Sequence, residues 1–497
     1  MFKLRMAFTV LAATALLGGC SDLTDLDVEN PNSPDAARAL TSPSDVEASI
    51  GSSYYNWHLN QKDAYPGWAL SVASGENTSS WGNFGMQDWG TIPRMTYQNN
   101  SSYGYRGVNQ SPWYRLYTVI SQVNDGLQAV EAGMKFGDEG ADTERAKAFA
   151  KFTQGLSYGY LALLYDQAFV VDERADLTSI EFKMVPYADV MKEAIKMLDE
   201  AAQIASANQF TIPENWMPTG GNFTGAQLAR LAKSYTARFL AQVARSPEER
   251  AAVNWSDVIA RANQGITQDF TLVYDGDTWW EYNKNYAANG TWQRASYFTI
   301  GETDKSGGYQ KWLNTPPQER ESFQIVTDDR RITGAGGPTT AGKDFRYWSG
   351  SCPFRADRGT YFCSSYMNIV YSYLWPTFAG TIPLFKVTEL DLLKAEAHLR
   401  ANQKDAAVPF INKTRVARGE LAPALGSETV DALMAKMQYE KRIELWVVSF
   451  GNHYFDGRGW GRLLTGTPIH VPVPARELET LGMQLYTFGG SAGGAAK

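Results

Sequence analysis

The chain has 497 residues, of which 44% are hydrophobic, 13% aromatic and 20% charged, and its formal net charge is −7. This length would accommodate about three ordinary domains, and the hydrophobic fraction is large enough for an extensive core. The acidic charge balance argues against nucleic acid as a partner. The 15 Trp and 26 Tyr raise the question of which aromatic side chains form the core and which bind a ligand.

The N-terminus has the pattern of a bacterial lipoprotein signal. Two basic residues precede the apolar run Ala7–Leu17, which is too short to span a bilayer as a permanent helix. The run ends in LGGC, which resembles a lipobox with cleavage before Cys20 and acylation of its sulfur. The sequence therefore predicts a signal peptide over 1–19 and a lipid anchor at Cys20.

Residues 20–44 are acidic and rich in turn-forming residues, which predicts an extended tether after the lipidated cysteine. Asp22, Asp25 and Asp27 resemble the acidic export signal of surface lipoproteins. The expected location is the outer membrane, facing the cell surface. The alternative is that these residues form only a solvated linker.

Helical periodicity dominates residues 45–268. The first helix is predicted from Asp45 to Trp57, with Val46 and Ile50 on one face. Further amphipathic runs are found at 113–130, 145–169, 184–205, 224–245 and 255–266. Helices of this length, joined by short turns, predict stacked hairpins in a solenoid-like scaffold.

Two aromatic segments depart from this periodicity. The first, residues 65–105, is rich in Gly, Asn and Ser as well as in aromatic residues, which predicts a structured functional loop. The second, residues 269–383, is predicted to be a loop-rich insertion. Its candidate strands are 272–274, 297–300 and 369–371.

Cys352 and Cys363 enclose a short aromatic loop within the predicted insertion. In the oxidising compartment that a lipoprotein signal indicates, the two cysteines are predicted to form a disulfide bond. Zinc is disfavoured because no histidine lies near them in the sequence.

The C-terminal stretch has a strong helical pattern. In VTELDLLKAEAHLR, starting at Val387, apolar residues recur at three- and four-residue steps, and Thr388 with Asp391 is predicted to cap the helix. A short polar turn leads to a second run over 405–418, which predicts an antiparallel hairpin of the tetratricopeptide kind. A third helix is predicted over 430–448.

The order ELDLLKAEAHLR, INKTRVARG, YEKRIEL, YFDGRGWGR and PVPARELE resembles the C-terminal signature of the SusD/RagB family of outer-membrane nutrient-binding lipoproteins. The resemblance implies a mainly α fold, in which a tetratricopeptide-like scaffold of helical hairpins carries a large loop-rich insertion with short strands. The resemblance implies three parts. Residues 45–268 form the N-terminal scaffold, residues 269–383 form the ligand-binding insertion, and residues 384–497 form the C-terminal hairpins and tail. The resemblance also implies a SusC-like TonB-dependent transporter as partner and an oligosaccharide as ligand.

Sugars present apolar C–H faces and hydroxyl groups, so a binding site needs flat aromatic rings beside polar side chains. Two stretches carry both, and in SusD-like proteins the ligand surface is built from an early loop and a later insertion. The predicted ligand-binding residues are Trp81, Asn83, Asp88, Trp89 and Arg94 in the first stretch and Trp279, Trp280, Tyr282, Asn283 and Trp292 in the second.

Catalytic and metal-binding motifs were not found. The four histidines lie far apart in the sequence, and neither His-Glu-x-x-His nor Gly-x-Ser-x-Gly occurs. Asp275 and Asp277 match part of a calcium loop, but Tyr286 stands where its final acidic ligand is expected. We therefore expect no metal, no cofactor and no enzymatic activity. Peptide binding, a surface glycoside hydrolase using Glu281, and a structural adaptor with buried aromatics are the alternatives.

Overall fold

A computed structural model describes residues 42–79, 81–175, 183–350 and 364–490. The helices are α1 Pro43–Lys62, α2 Gly67–Ala73, α3 Met86–Gly90, α4 Gly107–Glu131, α5 Thr143–Leu164, α6 Tyr187–Ala207, α7 Gly225–Gln242, α8 Pro247–Ala251, α9 Trp255–Asn263, α10 Tyr282–Ala287, α11 Tyr297–Ile300, α12 Gly308–Asn314, α13 Val387–Arg400, α14 Lys404–Arg415, α15 Val430–Glu444, α16 Asn452–Gly459 and α17 Ala475–Thr480. The strands are β1 Asn77–Ser79, β2 Gln167–Phe169, β3 Met184–Pro186, β4 Thr211–Ile212, β5 Phe223–Thr224, β6 Phe270–Asp275, β7 Gln293–Ala295, β8 Phe345–Tyr347, β9 Tyr366–Asn368 and β10 Ala379–Phe385.

The predicted mainly helical architecture is confirmed. Helices α4 to α7 pack in sequence, each against the next, and α5 also contacts α7. Two glycines of α5 permit this close approach: a Cβ on Gly159 would lie 2.0 Å from the ring of Phe239, and one on Gly155 would lie 2.8 Å from Leu198. Small residues at the crossing points therefore determine how tightly the helices stack.

The predicted C-terminal hairpin is also present, formed by α13 and α14 and packed on α15. The cluster of buried apolar side chains that joins them consists of Leu392, Ala395, Leu399, Ala407, Ile411, Ala424, Leu433 and Met437. The predicted cap at Thr388 is wrong. Lys386 occupies the N-cap position, and the carboxylate of Asp269 accepts the Val387 N–H at 2.9 Å. A residue far away in the sequence thus takes the role expected of a local one.

The strands form two-stranded antiparallel pairs, two of which connect distant parts of the chain. β1 pairs with β7, and β6 pairs with β10. The candidate strand 272–274 lies within β6, but 297–300 is helix α11. Its first turn is capped by Ser296, whose hydroxyl accepts the Phe298 N–H at 3.3 Å. The candidate strand 369–371 is wrong as well, because the pairing with β8 ends at Asn368.

Residues 65–105 are less irregular than predicted, since they contain α2, β1 and α3. The predicted lipidation site Cys20 and the predicted pair Cys352 and Cys363 lie outside the described residues. None of the helices in the described ranges is long and apolar enough to cross a membrane.

Buried ion pairs connect the C-terminal helices to the rest of the fold. The Arg238 guanidinium of α7 donates to both carboxylate oxygens of Glu389 on α13, at 2.8 and 2.6 Å. About two turns further along α13, both carboxylate oxygens of Glu396 accept hydrogen bonds from the Arg250 guanidinium, at 3.0 and 2.7 Å. All four side chains are fully buried. Such pairs are stable only while each charge keeps its partner.

We predict that Arg238→Met lowers the free energy of unfolding by about 3–5 kcal/mol, because it leaves the Glu389 carboxylate buried without its partner. Urea unfolding followed by circular dichroism measures the change. The matched control is Lys192→Met, which removes an exposed pair with Asp189 and should leave the midpoint unchanged. A wild-type midpoint for Arg238→Met would contradict the prediction.

Candidate functional site

A closed circuit of aromatic side chains lies at the surface of the segment 269–383. Successive ring centroids are 4.2 to 5.8 Å apart around the circuit. Its members, which we call the aromatic rim, are Trp280, Tyr282, Tyr286, Trp292, Trp375 and Phe378. Each of these side chains is partly exposed, and Trp375 is 40% exposed. Contiguous exposed aromatic surface of this kind is typical of a binding site.

Backbone alternation places the first members of the rim. The backbone is extended at Glu281, and side chains along an extended backbone point alternately to opposite faces. Trp279 and Glu281 are buried, whereas Trp280 and Tyr282 are half-exposed. Helix α10 then carries Tyr286 four residues after Tyr282, on the same helical face.

The β6–β10 pair brings in the second half of the rim. Asp275 at the end of β6 lies opposite Ala379 at the start of β10, so the turn containing Trp375 and Phe378 reaches the neighbourhood of Trp280. Gly276 makes this possible: it has φ +82°, and a Cβ there would lie 2.2 Å from the Thr377 carbonyl oxygen.

The floor of the rim comes from the N-terminal aromatic segment. Trp68 of α2 is fully buried, and its ring centroid lies 4.0 Å from that of Tyr286 and 5.9 Å from that of Tyr282. Phe84 packs against Trp68 at 4.9 Å. The β1–β7 pair holds the two segments together in a fixed register, with Ser79 opposite Gln293.

A buried ion pair underlies the rim. The Glu281 carboxylate, 1% exposed, accepts from Lys284 Nζ at 2.7 Å and from the Tyr274 hydroxyl at 2.9 Å. Lys284 Nζ also donates to the Val448 carbonyl at 3.0 Å, and burial lowers the pKa of this amine. Glu281 therefore orients the chain between Trp280 and Tyr282 from below, and it is covered by protein.

Several predicted ligand residues are brought together. Trp280, Tyr282 and Trp292 are members of the aromatic rim. Trp81 is 47% exposed and lies two residues beyond β1, at the strand-pair end where Trp292 precedes β7. Asn83 is half-buried next to Phe84. Ligand contact by these five residues stays a prediction.

The other predicted residues lie elsewhere. Trp89 is buried against Tyr97 and Tyr454. Arg94 is also buried and donates to the Ala73 carbonyl at 3.0 Å and to the Thr467 hydroxyl at 2.9 Å. These two side chains connect the early segment to the scaffold.

The remaining three are similarly engaged by protein groups. Asp88 accepts a hydrogen bond from the Tyr103 hydroxyl. Trp279 is 7% exposed and packs edge-on against Tyr55, and Asn283 is buried beneath α2.

Sequence reasoning missed Trp375 and Phe378 as site residues. They lie more than eighty positions after Trp280, where no cluster of tryptophans attracts attention. The available signal was the density of aromatic residues over 366–378. The pairing of 379–385 with 270–275, which brings them to Trp280, is seen only in the structure.

Glu76 supports the early half of the site. Its backbone carbonyl accepts the Ser296 N–H at 3.0 Å, and its carboxylate accepts the Val447 N–H at 2.7 Å. Burial raises the pKa of Glu76 to about 7. His453 lies 3.6 Å away, but burial lowers its pKa to about 3, so it is neutral at pH 7 and provides no compensating charge.

No group of three or more His, Cys, Asp or Glu side chains in the described part of the chain is arranged to hold a metal ion.

We predict that Glu76→Gln stabilises the protein progressively, relative to wild type, as the pH rises. In the folded state Glu76 keeps its proton up to about pH 7, whereas in the unfolded chain it loses the proton near pH 4.5. The free energy of unfolding of the wild type therefore falls by up to about 3 kcal/mol across that interval. The glutamine oxygen can still accept the Val447 N–H. Urea unfolding from pH 5 to pH 8 checks this, and a pH-independent difference between variant and wild type would contradict it.

No protein-family model and no curated protein matches this sequence. The fold is nevertheless similar to solved structures of SusD superfamily proteins. One from Bacteroides vulgatus ATCC 8482 gives a TM-score of 0.59 at 16% identity, over 89% of this chain and 97% of that one. One from Parabacteroides distasonis ATCC 8503 gives 0.58 at 15% identity, over 88% and 98% of the two chains. A third, from Bacteroides fragilis, gives 0.54 at 16% identity, over 89% and 98%. The chain thus has the SusD-like fold that its C-terminal motifs predicted.

Proposed function

We propose that this protein is a SusD/RagB-type surface lipoprotein that binds oligosaccharides on the aromatic rim and delivers them to a SusC-like TonB-dependent outer-membrane transporter. The observation that carries the binding proposal is the rim itself: six neighbouring aromatic side chains, all accessible, held on a rigid base.

The rim suits a sugar chain for physical reasons. Pyranose rings have apolar faces that stack on indole and phenol rings, and such aromatic contacts are worth about 1 kcal/mol each beyond the area they bury. A single contact of that size gives weak binding, whereas several acting together give a useful affinity. Because Trp280, Trp292 and Trp375 lie around one circuit, a chain of several sugar units can contact more than one of them.

A catalytic role receives no support from Glu281, the residue that the hydrolase alternative would use. A glycosidase needs two carboxyl groups that flank the scissile bond and reach it. Glu281 is buried beneath the rim and paired with Lys284. We therefore propose a binding protein, and chromatography of a polysaccharide after prolonged incubation should show no shorter product.

We predict that Trp280→Ala and Trp375→Ala each weaken oligosaccharide binding about fivefold, the equivalent of one lost stacking contact. Isothermal titration calorimetry against a panel of plant and bacterial oligosaccharides, with apolar peptides in the same panel, measures the affinities. Tyr114→Ala is the matched control, because this half-buried aromatic side chain lies on α4, outside the rim. Wild-type affinity in both tryptophan variants would contradict the proposed site.

The proposed location rests on the N-terminal sequence. The apolar run ending at LGGC supports lipidation of Cys20, and the acidic residues after it support export to the cell surface. Copurification of a TonB-dependent transporter with the lipidated protein would test the proposed partnership.

We predict that Cys20→Ala moves the protein from the outer-membrane fraction to the soluble fraction, because the sulfur that carries the acyl chain is absent. Immunoblotting of separated membrane and soluble fractions measures the distribution, and Ser21→Ala is the neighbouring control. Unchanged membrane association of Cys20→Ala would argue against a lipid anchor.

A further inference from the structure

Two cations that have no carboxylate partner among the described residues lie against tryptophans of this region. Lys62, the last residue of α1, places its ammonium 5.0 Å from the ring centroid of Trp280. Arg346, at the centre of β8, places its guanidinium carbon 5.2 Å from the ring centroid of Trp348. Neither forms an ion pair with any residue in the described ranges.

Arg346 belongs to the same surface as the rim because of Gly290. A Cβ on this glycine would lie 3.0 Å from the Trp348 ring, so the indole packs directly against the backbone between Tyr286 and Trp292. Trp348 is half-buried beside this backbone, two residues from the rim member Trp292, and the exposed side chain of Arg346 lies against its ring.

Both cations keep donors for a ligand. Lys62 Nζ donates to the Thr278 carbonyl at 2.8 Å and to the Tyr55 hydroxyl at 3.0 Å, which leaves one of its three N–H groups. Among the described residues, Arg346 donates through Nε alone, to the Met367 sulfur at 3.2 Å, so its terminal N–H groups are available for a two-pronged contact.

The nearby carboxylates do not neutralise these charges. Glu281 is paired with Lys284, and Asp275 accepts the backbone N–H groups of Asp277 and Trp279. Asp277, next to the Thr278 carbonyl that holds Lys62, makes no ion pair with that lysine. In a chain of net charge −7, uncompensated cations beside an aromatic surface favour an anionic ligand.

We infer that the oligosaccharide bound at the aromatic rim is acidic, carrying carboxylate or sulfate groups that Lys62 and Arg346 contact. This inference rests on the proposed function and narrows its ligand class. Hydrogen bonds between a cation and an anion are about twice as strong as those between neutral groups, so the acidic sugar should bind about tenfold tighter than its uncharged counterpart.

The test compares ligands that differ only in charge. Calorimetry at low and high salt measures the affinity for oligogalacturonate and for its methyl ester. The second pair is a sulfated galactan oligosaccharide and its desulfated form. The pair in which the acidic member binds more tightly identifies carboxylate or sulfate as the recognised group. Wild type should prefer the acidic member about tenfold at low salt and less at high salt. Lys62→Met and Arg346→Met should each reduce that preference, measured in each variant as the ratio of the affinities for the acidic and uncharged members.

The control is Lys135→Met, which removes an exposed lysine outside the rim and should keep the preference. Thermal unfolding confirms that each variant is folded. Equal binding of charged and uncharged members, with Trp280→Ala weakening both, would overturn the acidic ligand but leave the proposed function standing. A loss of preference in Lys135→Met equal to that in Lys62→Met would also overturn it. Binding of either member that Trp280→Ala does not change would instead reject the rim as the site.

Discussion

Buried arginine–carboxylate pairs hold the separate parts of this chain in one arrangement. Arg238 and Arg250 join the N-terminal helices to α13, and Arg331 joins the insertion to α15 through Glu440 and Glu444. Removing such charges from water costs several kcal/mol each, and the cost is offset only when geometry and additional hydrogen bonds are good. The pairs therefore form only in the native packing. Any displacement of α13 or α15 would leave a buried charge without its partner.

This requirement explains how a segment with little regular structure can present a defined surface. In the described parts of 269–383 the helices and strands are short, and such short elements would be unstable in isolation. They are held at their ends by β6–β10, in the middle by β1–β7 and from below by Lys284 and Arg331. The aromatic rim depends on these attachments, because its members come from two stretches more than eighty residues apart. The β6–β10 register and the packing of β7 on β9 bring these stretches together.

The helical half of the fold was predictable because its signal is local. The three- and four-residue apolar spacing from Val387 predicted α13, and the helix predicted over 430–448 is α15, which ends at Glu444. The SusD-like segments ELDLLKAEAHLR and YEKRIEL lie on these two helices. The buried charges were not predictable in the same way. Glu389 and Glu396 look like solvent-facing residues of an amphipathic helix, and only the arrival of Arg238 and Arg250 from elsewhere in the chain places them in the core. The misplaced cap has the same origin, since Asp269 is invisible to a local rule.

The site shows a sharper limit. Composition drew attention to the tryptophans of 279–292, but it could not separate Trp279 from Trp280, which are chemically identical. The backbone is extended at Glu281, which directs the Trp279 indole toward the buried Tyr54 and His58 and the Trp280 indole toward the surface. The ion pair of Glu281 with Lys284 fixes this orientation. A one-residue shift of register would exchange the two roles. The buried carboxylate of Glu281 thus determines which indole joins the aromatic rim. The arrangement of the rim and the packing of the core beneath it therefore depend on the same short segment, 279–284.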